Sequence, residues 1–182
     1  MKISGDDREL SAQLADPKTQ RRAFEKVVRL YSEQLYWLIR RMVLSHEDAN
    51  DLLQNTFMKA WNALDGFHGD AKLSTWLSRI AINESLDFLR RNKHELTGTD
   101  EDMRVAQSLR ADTYFDGSEV EAMLQQAVAS LPDVQRTVFQ LRYFEDMKYS
   151  DISQLLNTSE GALKASYHIA VKKISDFFKA HD

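Results

Sequence analysis

The chain has 182 residues, 43% hydrophobic and 29% charged, which suits one ordinary globular domain or two small ones and excludes general disorder. The absence of cysteine excludes disulfides, thiolate metal sites and cysteine nucleophiles, and no segment has the ~20 apolar residues of a membrane span. The first residues lack the apolar core of a secretory signal, so we expect a cytoplasmic protein without membrane insertion.

The fold class is predicted from the few prolines and glycines, and the division of the chain from the distribution of charge. Two prolines, six glycines and no period-two alternation of Val, Ile and Thr predict an all-α protein. Net charge is −1 over residues 1–18, +3 over 19–93, −6 over 94–121 and 0 over 122–182. Residues 1–18 are assigned as an N-terminal tail, either a short helix or a frayed end.

Residues 19–93 are predicted to form the first helical domain. A helix over about 20–43 repeats apolar residues at the spacing of one buried face. Ser45 then begins S-H-E-D, the start signal of a second helix whose apolar side includes Trp61. After the loop DGFHGD, a third helix runs over about 73–92.

Residues 94–117 are predicted to be a flexible acidic linker, and residues 118–182 a second helical domain. Ser118 opens S-E-V-E, a capping box, and Pro132 suits the first residue of the next helix, predicted to reach about Tyr143. Two further helices close the chain, so the predicted architecture is two small all-α domains.

The closing segments YSDISQLLN and TSEGALKASYHIAVKKISDFF predict a helix-turn-helix. Asn157 suits a left-handed turn between them, and Ser159 suits the cap of the second helix. An ordinary helical hairpin is the alternative, and the spacing of Tyr167 equally suits the core. The candidate DNA-facing residues of this helix are Ser159, Glu160, Lys164, Ser166, Tyr167, His168 and Lys172.

Two surfaces of the first domain are also candidates. The loop and third helix combine Phe67 and Trp76, which could stack on bases, with basic residues suited to single-stranded DNA. The alternatives are a core tryptophan and a solvated helix end. DANDLLQNTFMKAW has an acidic and polar face, which is either a protein-docking surface or plain solvated surface.

Signals of catalysis are missing, so we expect no enzyme, no cofactor and no metal. The five histidines have no metal-ligand spacing. A glycine-rich phosphate loop, a nucleophile elbow and a Ser-His-Asp arrangement are absent from the sequence.

Together these segments resemble the sigma factor family, specifically its extracytoplasmic-function subgroup, from about residue 20 to residue 178. DANDLLQNTFMKAW resembles the region-two helix that docks on the clamp coiled coil of the polymerase's largest subunit. LSTWLSRIAINESLDFLRR resembles the helix that opens and reads the promoter's minus-ten element. The segment from LPDVQRTVF to AVKKI resembles region four, which binds the minus-thirty-five element and the flap of the second-largest subunit.

The resemblance implies an alternative sigma factor that binds core RNA polymerase and directs promoter recognition, melting and transcription initiation. The implied polymerase-binding residues are Asp48, Asp51, Leu52, Gln54 and Phe57. The loop Phe67 to Lys72 would hold a flipped base. The implied minus-ten residues are Phe67, Lys72, Trp76, Arg79, Asn83, Arg90 and Arg91.

The resemblance also implies a membrane-linked anti-sigma factor and a free chain that is monomeric. The acidic linker either threads the channel of the polymerase, as in this family, or is an ordinary flexible tether. One departure is clear: Ser166, Ile169 and Val171 replace three arginines usual in the recognition helix. Fewer phosphate contacts are therefore expected there. Ser153 and Asn157 also stand where the motif usually has alanine and glycine.

Two other interpretations of the sequence stay open at this stage. A conventional regulator would use only the helix-turn-helix and bind palindromic DNA as a symmetric dimer. A helical adaptor or phosphosignalling module would need a surface site that the sequence does not indicate. The neutral charge of the second domain argues against tight DNA binding by the free chain.

Overall fold

The computed structural model describes residues 6–92 and 118–181. The predicted linker lies outside the described residues. Within the described ranges the chain forms helices and turns but no strand, which confirms the all-α fold class. The described residues divide into two compact units, 6–39 with 47–92 and 40–46 with 118–181.

The first unit is built on three long helices, as the sequence predicts. They are α2 (Gln20–Val43), α3 (His46–Asn62) and α4 (Leu73–Arg91), with a short 3-10 turn, Leu64–Gly66, after α3. Each places one apolar stripe inside, the usual arrangement of an amphipathic helix. Buried residues of these stripes include Val27, Leu35, Leu38, Ala49, Leu52, Ala60, Leu73, Leu77 and Ala81.

Of the two conformations considered for the N-terminal segment, the structure contains the helix. This helix, α1, spans Asp6–Ala15. Leu10 and Leu14 are 7% and 2% exposed, so α1 is packed rather than frayed. Its apolar residues are only four apart, a signal too short to separate a packed helix from a tail.

The second unit contains α5 (Glu119–Ala129), α6 (Asp133–Phe139), α7 (Tyr149–Leu156) and α8 (Glu160–His181). Ser118 caps α5 by accepting a hydrogen bond from the Glu121 N–H at 3.3 Å, as predicted. Pro132 is the residue before α6 and not its first residue, so this prediction was wrong by one position. The long α8 packs against α5, α6 and α7. Their shared core holds Ala127, Val128, Leu131, Phe139, Ala170 and Ile174.

The sequence predicts regular helix to about Tyr143, and here the structure differs. From Gln140 to Phe144 the backbone widens into a π turn, with the Glu145 N–H donating to the Gln140 carbonyl at 3.3 Å. Arg142 stabilises the chain after this turn by donating hydrogen bonds to the Asp146 carboxylate and the Met147 carbonyl. Because the π turn is the last turn of this helix, no apolar repeat follows it whose shifted register could reveal it.

Candidate protein and nucleic-acid interfaces

The candidate docking residues on α3 fall into two groups. Asp51 and Gln54 are exposed, and Asp48 is half-buried. Leu52 and Phe57 are only 3% and 9% exposed, so both belong to the core of the first unit. The polar pair is available to a partner, whereas the apolar pair supports the helix from beneath.

Beside these polar residues the structure has an apolar cleft that the docking residues predicted from the sequence did not include. Met58 is 63% exposed and Trp61 is 40% exposed. The Trp61 ring lies 5.1 Å from the ring of Phe24 on α2, edge to face. Trp61 was assigned to the inward face of its helix, which was wrong. The spacing could not separate Trp61 from the inward positions, because an apolar stripe at i, i+3 and i+4 includes consecutive residues. The cleft is lined by Arg21, Phe24, Glu25, Phe57, Met58, Trp61 and Asn62.

The loop before α4 carries the first aromatic candidates. The rings of Phe67 and Trp76 are 4.8 Å apart, tilted by 34°, and both side chains are half-buried. Gly69 has a φ of +74°, a left-handed conformation that suits glycine, and the Lys72 side chain is exposed. The two aromatic rings therefore contact each other, and both side chains remain partly accessible to solvent.

The solvent-facing side of α4 carries the remaining minus-ten candidates. Arg79 and Asn83 follow Trp76 at helical spacing, and Arg90 continues the same face. Asp87 partly neutralises it, with its carboxylate 3.1 Å from the Arg90 guanidinium and its carbonyl accepting from Arg91 Nε at 3.3 Å. The exposed candidates are Arg79, Asn83, Arg90 and Arg91.

An ion pair joins α3 to α4. Lys59 donates to the carboxylate of Glu84, whose side chain is almost fully buried. The ion pair lines a cleft between the two helices, together with Asn55, Asn62 and Arg91. The two candidate faces of the first unit are thus held together by a specific polar contact.

The helix-turn-helix has the predicted geometry. Asn157 ends α7 with φ 50° and ψ 47°, the left-handed conformation expected for the turn. Ser159 caps α8 by accepting from the Ala162 N–H at 3.3 Å. A compact helix, a short turn and a long second helix follow one another as predicted.

Tyr167 lies in the aromatic cluster of the second unit. Its ring stacks on Phe139 at 5.7 Å with planes 14° apart, and it meets Tyr149 edge-on at 6.4 Å. Burial raises the pKa of the Tyr167 hydroxyl, and the neighbouring Tyr149 adds to the effect. Ser166 is half-buried as well, while the exposed candidates of α8 are Ser159, Glu160, Lys164, His168 and Lys172.

Comparisons with known proteins match both units. A model of sigma-70 region 2 matches residues 27–95, and one of sigma-70 region 4 matches residues 121–174. The ECF RNA polymerase sigma factor SigW of Bacillus subtilis is 32% identical over 157 residues, covering 80% of this chain and 83% of SigW. The chain belongs to the extracytoplasmic-function sigma factors. As an alternative sigma factor, it directs transcription initiation and has DNA-binding regions two and four.

Further relatives of this sigma factor agree. The RNA polymerase sigma-H factor of Pseudomonas aeruginosa is 31% identical over 155 residues, 80% of each chain. A chain in the structure of CnrH in complex with the cytosolic domain of CnrY superposes with a TM-score of 0.63 at 25% identity, covering 97% and 99% of the two chains. The sigma factor RpoE, solved with the anti-sigma factor NepR from Bartonella quintana, shares the fold with a TM-score of 0.61 at 23% identity, covering 86% and 96%.

Two kinds of feature do not occur among the described residues. In residues 6–92 and 118–181 no helix is long and apolar enough to cross a bilayer. The same part of the chain brings no three of its histidine, aspartate and glutamate residues into a group that could hold a metal ion.

Proposed function

We propose that this sigma factor docks on the clamp coiled coil of the polymerase's largest subunit through the exposed face of α3. Asp51 and Gln54 would supply polar contacts, and Met58 and Trp61 an apolar anchor beside them. Exposed aromatic residues next to polar groups are the usual composition of binding hot spots. Leu52 and Phe57 would act indirectly, since both are buried within the unit.

The minus-ten element would be held by the loop and the outer face of α4. Phe67 and Trp76 offer ring surface for an unpaired base, and stacking on aromatic rings is worth about 1–3 kcal/mol per base. Capturing a flipped base offsets part of the melting cost, which is a few kcal/mol. Arg79, Arg90 and Arg91 would then contact the phosphates of the separated strand, with Asn83 and Lys72 at either side.

The minus-thirty-five element would be read by α8. Its exposed capped start, Ser159 and Glu160, suits an approach to base edges or to a phosphate. Lys164, His168 and Lys172 are exposed along the same helix. With few basic residues there, contact with the polymerase flap would place the domain on DNA. Recognition would therefore require the holoenzyme.

The proposed partners follow from the same surfaces. CnrH and RpoE were each solved with a binding partner, the cytosolic domain of CnrY and the anti-sigma factor NepR. By analogy, a membrane-linked anti-sigma factor would hold this chain inactive. The free chain would be a cytoplasmic monomer that acts as a polymerase subunit without catalysis or cofactor of its own.

The observation that carries the proposal is the pairing, on one small domain, of the polar α3 face with the basic and aromatic α4 face. The test is run-off transcription with core polymerase on the promoter upstream of this gene. We expect a discrete transcript only when the chain is added, and loss of that transcript for Asp51→Arg. Glu33→Arg is the matched control, since Glu33 is an exposed acidic residue on α2 and the charge change is the same.

Either of two results would refute the docking proposal. One is an Asp51→Arg chain that binds core polymerase as tightly as the wild type. The other is a Glu33→Arg chain that loses the transcript equally, because the effect would then be one of overall charge and not of the α3 face.

A further inference from the structure

The short helix α1 is held against the first unit by specific contacts at its carboxyl end. Thr19 Oγ1 donates to the Gln13 carbonyl at 2.7 Å, and Gln20 Nε2 donates to the Leu14 carbonyl at 3.0 Å. These bonds satisfy carbonyls that a helix end leaves without intrahelical partners. A 10-residue helix is marginal in water on its own, so such contacts and the burial of Leu14 keep it in place.

The amino end of α1 is held as well. The Tyr31 side chain of α2 is buried, and its hydroxyl lies close enough to the carboxylate of Asp7 to feel its charge. Burial raises the pKa of the Tyr31 hydroxyl, and the charge of Asp7 raises it further, so the phenol stays protonated and able to donate. The amino end of α1 therefore lies beside α2, while its carboxyl end is bonded to Thr19 and to Gln20 of α2.

The helix α1 lies next to the 3-10 turn Leu64–Gly66. Leu64 is 7% exposed, and its carbonyl accepts a hydrogen bond from the N–H of Phe67 at 3.0 Å. Phe67 is the first residue of the loop proposed to hold a flipped base, and its ring lies on Trp76. A continuous series of contacts thus leads from α1 through the turn to the two aromatic rings.

The loop itself has little else to fix it. Residues 68–72 are exposed, and Gly69 has open space around the position of a Cβ atom. Its far end is fixed by Leu73, which is fully buried at the start of α4. The start of the loop follows directly on the turn, and α1 lies next to that turn.

We propose that α1 is a positioning element for minus-ten capture: by lying next to the Leu64–Gly66 turn it holds Phe67 and the loop in the geometry that accepts an unpaired base. This inference rests on the proposed role of that loop. Leu14 and Tyr31 are the positioning residues, and neither needs to touch DNA. A displacement of about 1 Å in such a site can cost a hundredfold in rate.

The experiment compares promoter opening on two templates by holoenzymes reconstituted with the full-length variants. One template is the duplex promoter with 2-aminopurine in the minus-ten element, and the other carries the same element pre-opened by mismatches. The variants are Leu14→Ala and Tyr31→Phe. Glu9→Ala is the control, because Glu9 is exposed on α1 and its carboxylate accepts a hydrogen bond from Gln13 of the same helix.

We expect Leu14→Ala to slow opening of the duplex about tenfold or more, with Tyr31→Phe changing it in the same direction. On the pre-opened template both variants should lose much less activity than on the duplex, since base capture no longer has to offset the cost of melting. Polymerase affinity should be unchanged, and Glu9→Ala should match wild type throughout.

Equal losses on both templates, or no loss on the duplex, would overturn the proposal, because α1 would then act only through overall stability or not at all. If Leu14→Ala does not fold, as judged by circular dichroism, Tyr31→Phe decides the matter alone. A wild-type chain silent on both templates would refute the proposed function instead.

Discussion

Lys59 of α3 and Glu84 of α4 form an ion pair in which the glutamate side chain is 8% exposed and the lysine side chain is 60% exposed. The pair joins the helix proposed for polymerase docking to the helix proposed for promoter contact. A carboxylate removed from water needs a cationic or hydrogen-bonding partner, because an unpaired buried charge is strongly unfavourable. Glu84 therefore depends on Lys59 more than Lys59 depends on Glu84.

The first prediction concerns this asymmetry. Lys59→Met should lower the free energy of unfolding of the first unit by about 1–3 kcal/mol, because it leaves Glu84 buried without its cation. Lys59→Met combined with Glu84→Leu should recover most of that loss, since the buried charge is gone. Urea unfolding followed by tryptophan fluorescence measures this, because Trp37, Trp61 and Trp76 all lie in the first unit.

The control for this prediction is Lys26→Met, an exposed lysine on α2. It should change the unfolding free energy by less than about 0.5 kcal/mol. If Lys59→Met were no more destabilising than Lys26→Met, the ion pair would have no structural importance.

The second prediction separates the two groups of residues on α3. Leu52→Ala should lower the unfolding free energy by about 2–5 kcal/mol, because it opens a cavity under the helix. Asp51→Ala and Gln54→Ala should leave it within about 0.5 kcal/mol and weaken binding to core polymerase instead. Unfolding followed by tryptophan fluorescence and binding to core polymerase, both measured on the same preparations, distinguish the core residues from the docking residues. A Leu52→Ala chain of wild-type stability would show that Leu52 is not a core residue.

Helices with a long apolar repeat, and caps with a defined side chain, were predictable from the sequence. The repeat in Gln20–Val43 continues over more than six turns and leaves one face to bury. Asn157 is predictable for a different reason, because few residues other than glycine tolerate its backbone conformation. In both cases the signal depends on local chemistry and not on tertiary contacts.

The features that the sequence did not reveal depend on neighbours distant along the chain. Trp61 has the spacing of a core residue, yet it stays 40% exposed beside Phe24. Glu84 looks like an ordinary polar residue of α4 until Lys59 of another helix is placed beside it. The two motifs were enough to indicate the family, but not which motif residues reach solvent.

The third prediction uses the stacked position of Tyr167. If its ring packs the second unit, Tyr167→Phe should retain minus-thirty-five binding, because the stack on Phe139 survives. Tyr167→Ala should destabilise the unit by about 1–3 kcal/mol, because it removes a half-buried aromatic ring from the cluster. Holoenzyme binding to duplex DNA, with circular dichroism melting of each variant, measures both effects. Loss of promoter binding by Tyr167→Phe at unchanged stability would instead assign the hydroxyl to DNA contact.

The final prediction concerns the uncharged part of α8. Ile169 and Val171 are 44% and 42% exposed, so longer side chains fit at both positions without disturbing the core. Ile169→Arg with Val171→Arg should strengthen DNA binding by the second domain in the full chain, because each new phosphate contact releases counterions. The binding constant should also fall more steeply with salt, by about 0.9 in logarithmic slope per added contact.

The matched control for these arginines is Ile169→Gln with Val171→Gln, which adds length and polarity without charge. Binding measured by fluorescence anisotropy across a salt series should separate the pairs, with the glutamine variant keeping the wild-type slope. If the arginine variant also kept that slope, this face of α8 would not lie against the phosphate backbone. The weak charge of the native helix would then reflect its orientation on DNA and not a dependence on the polymerase for promoter binding.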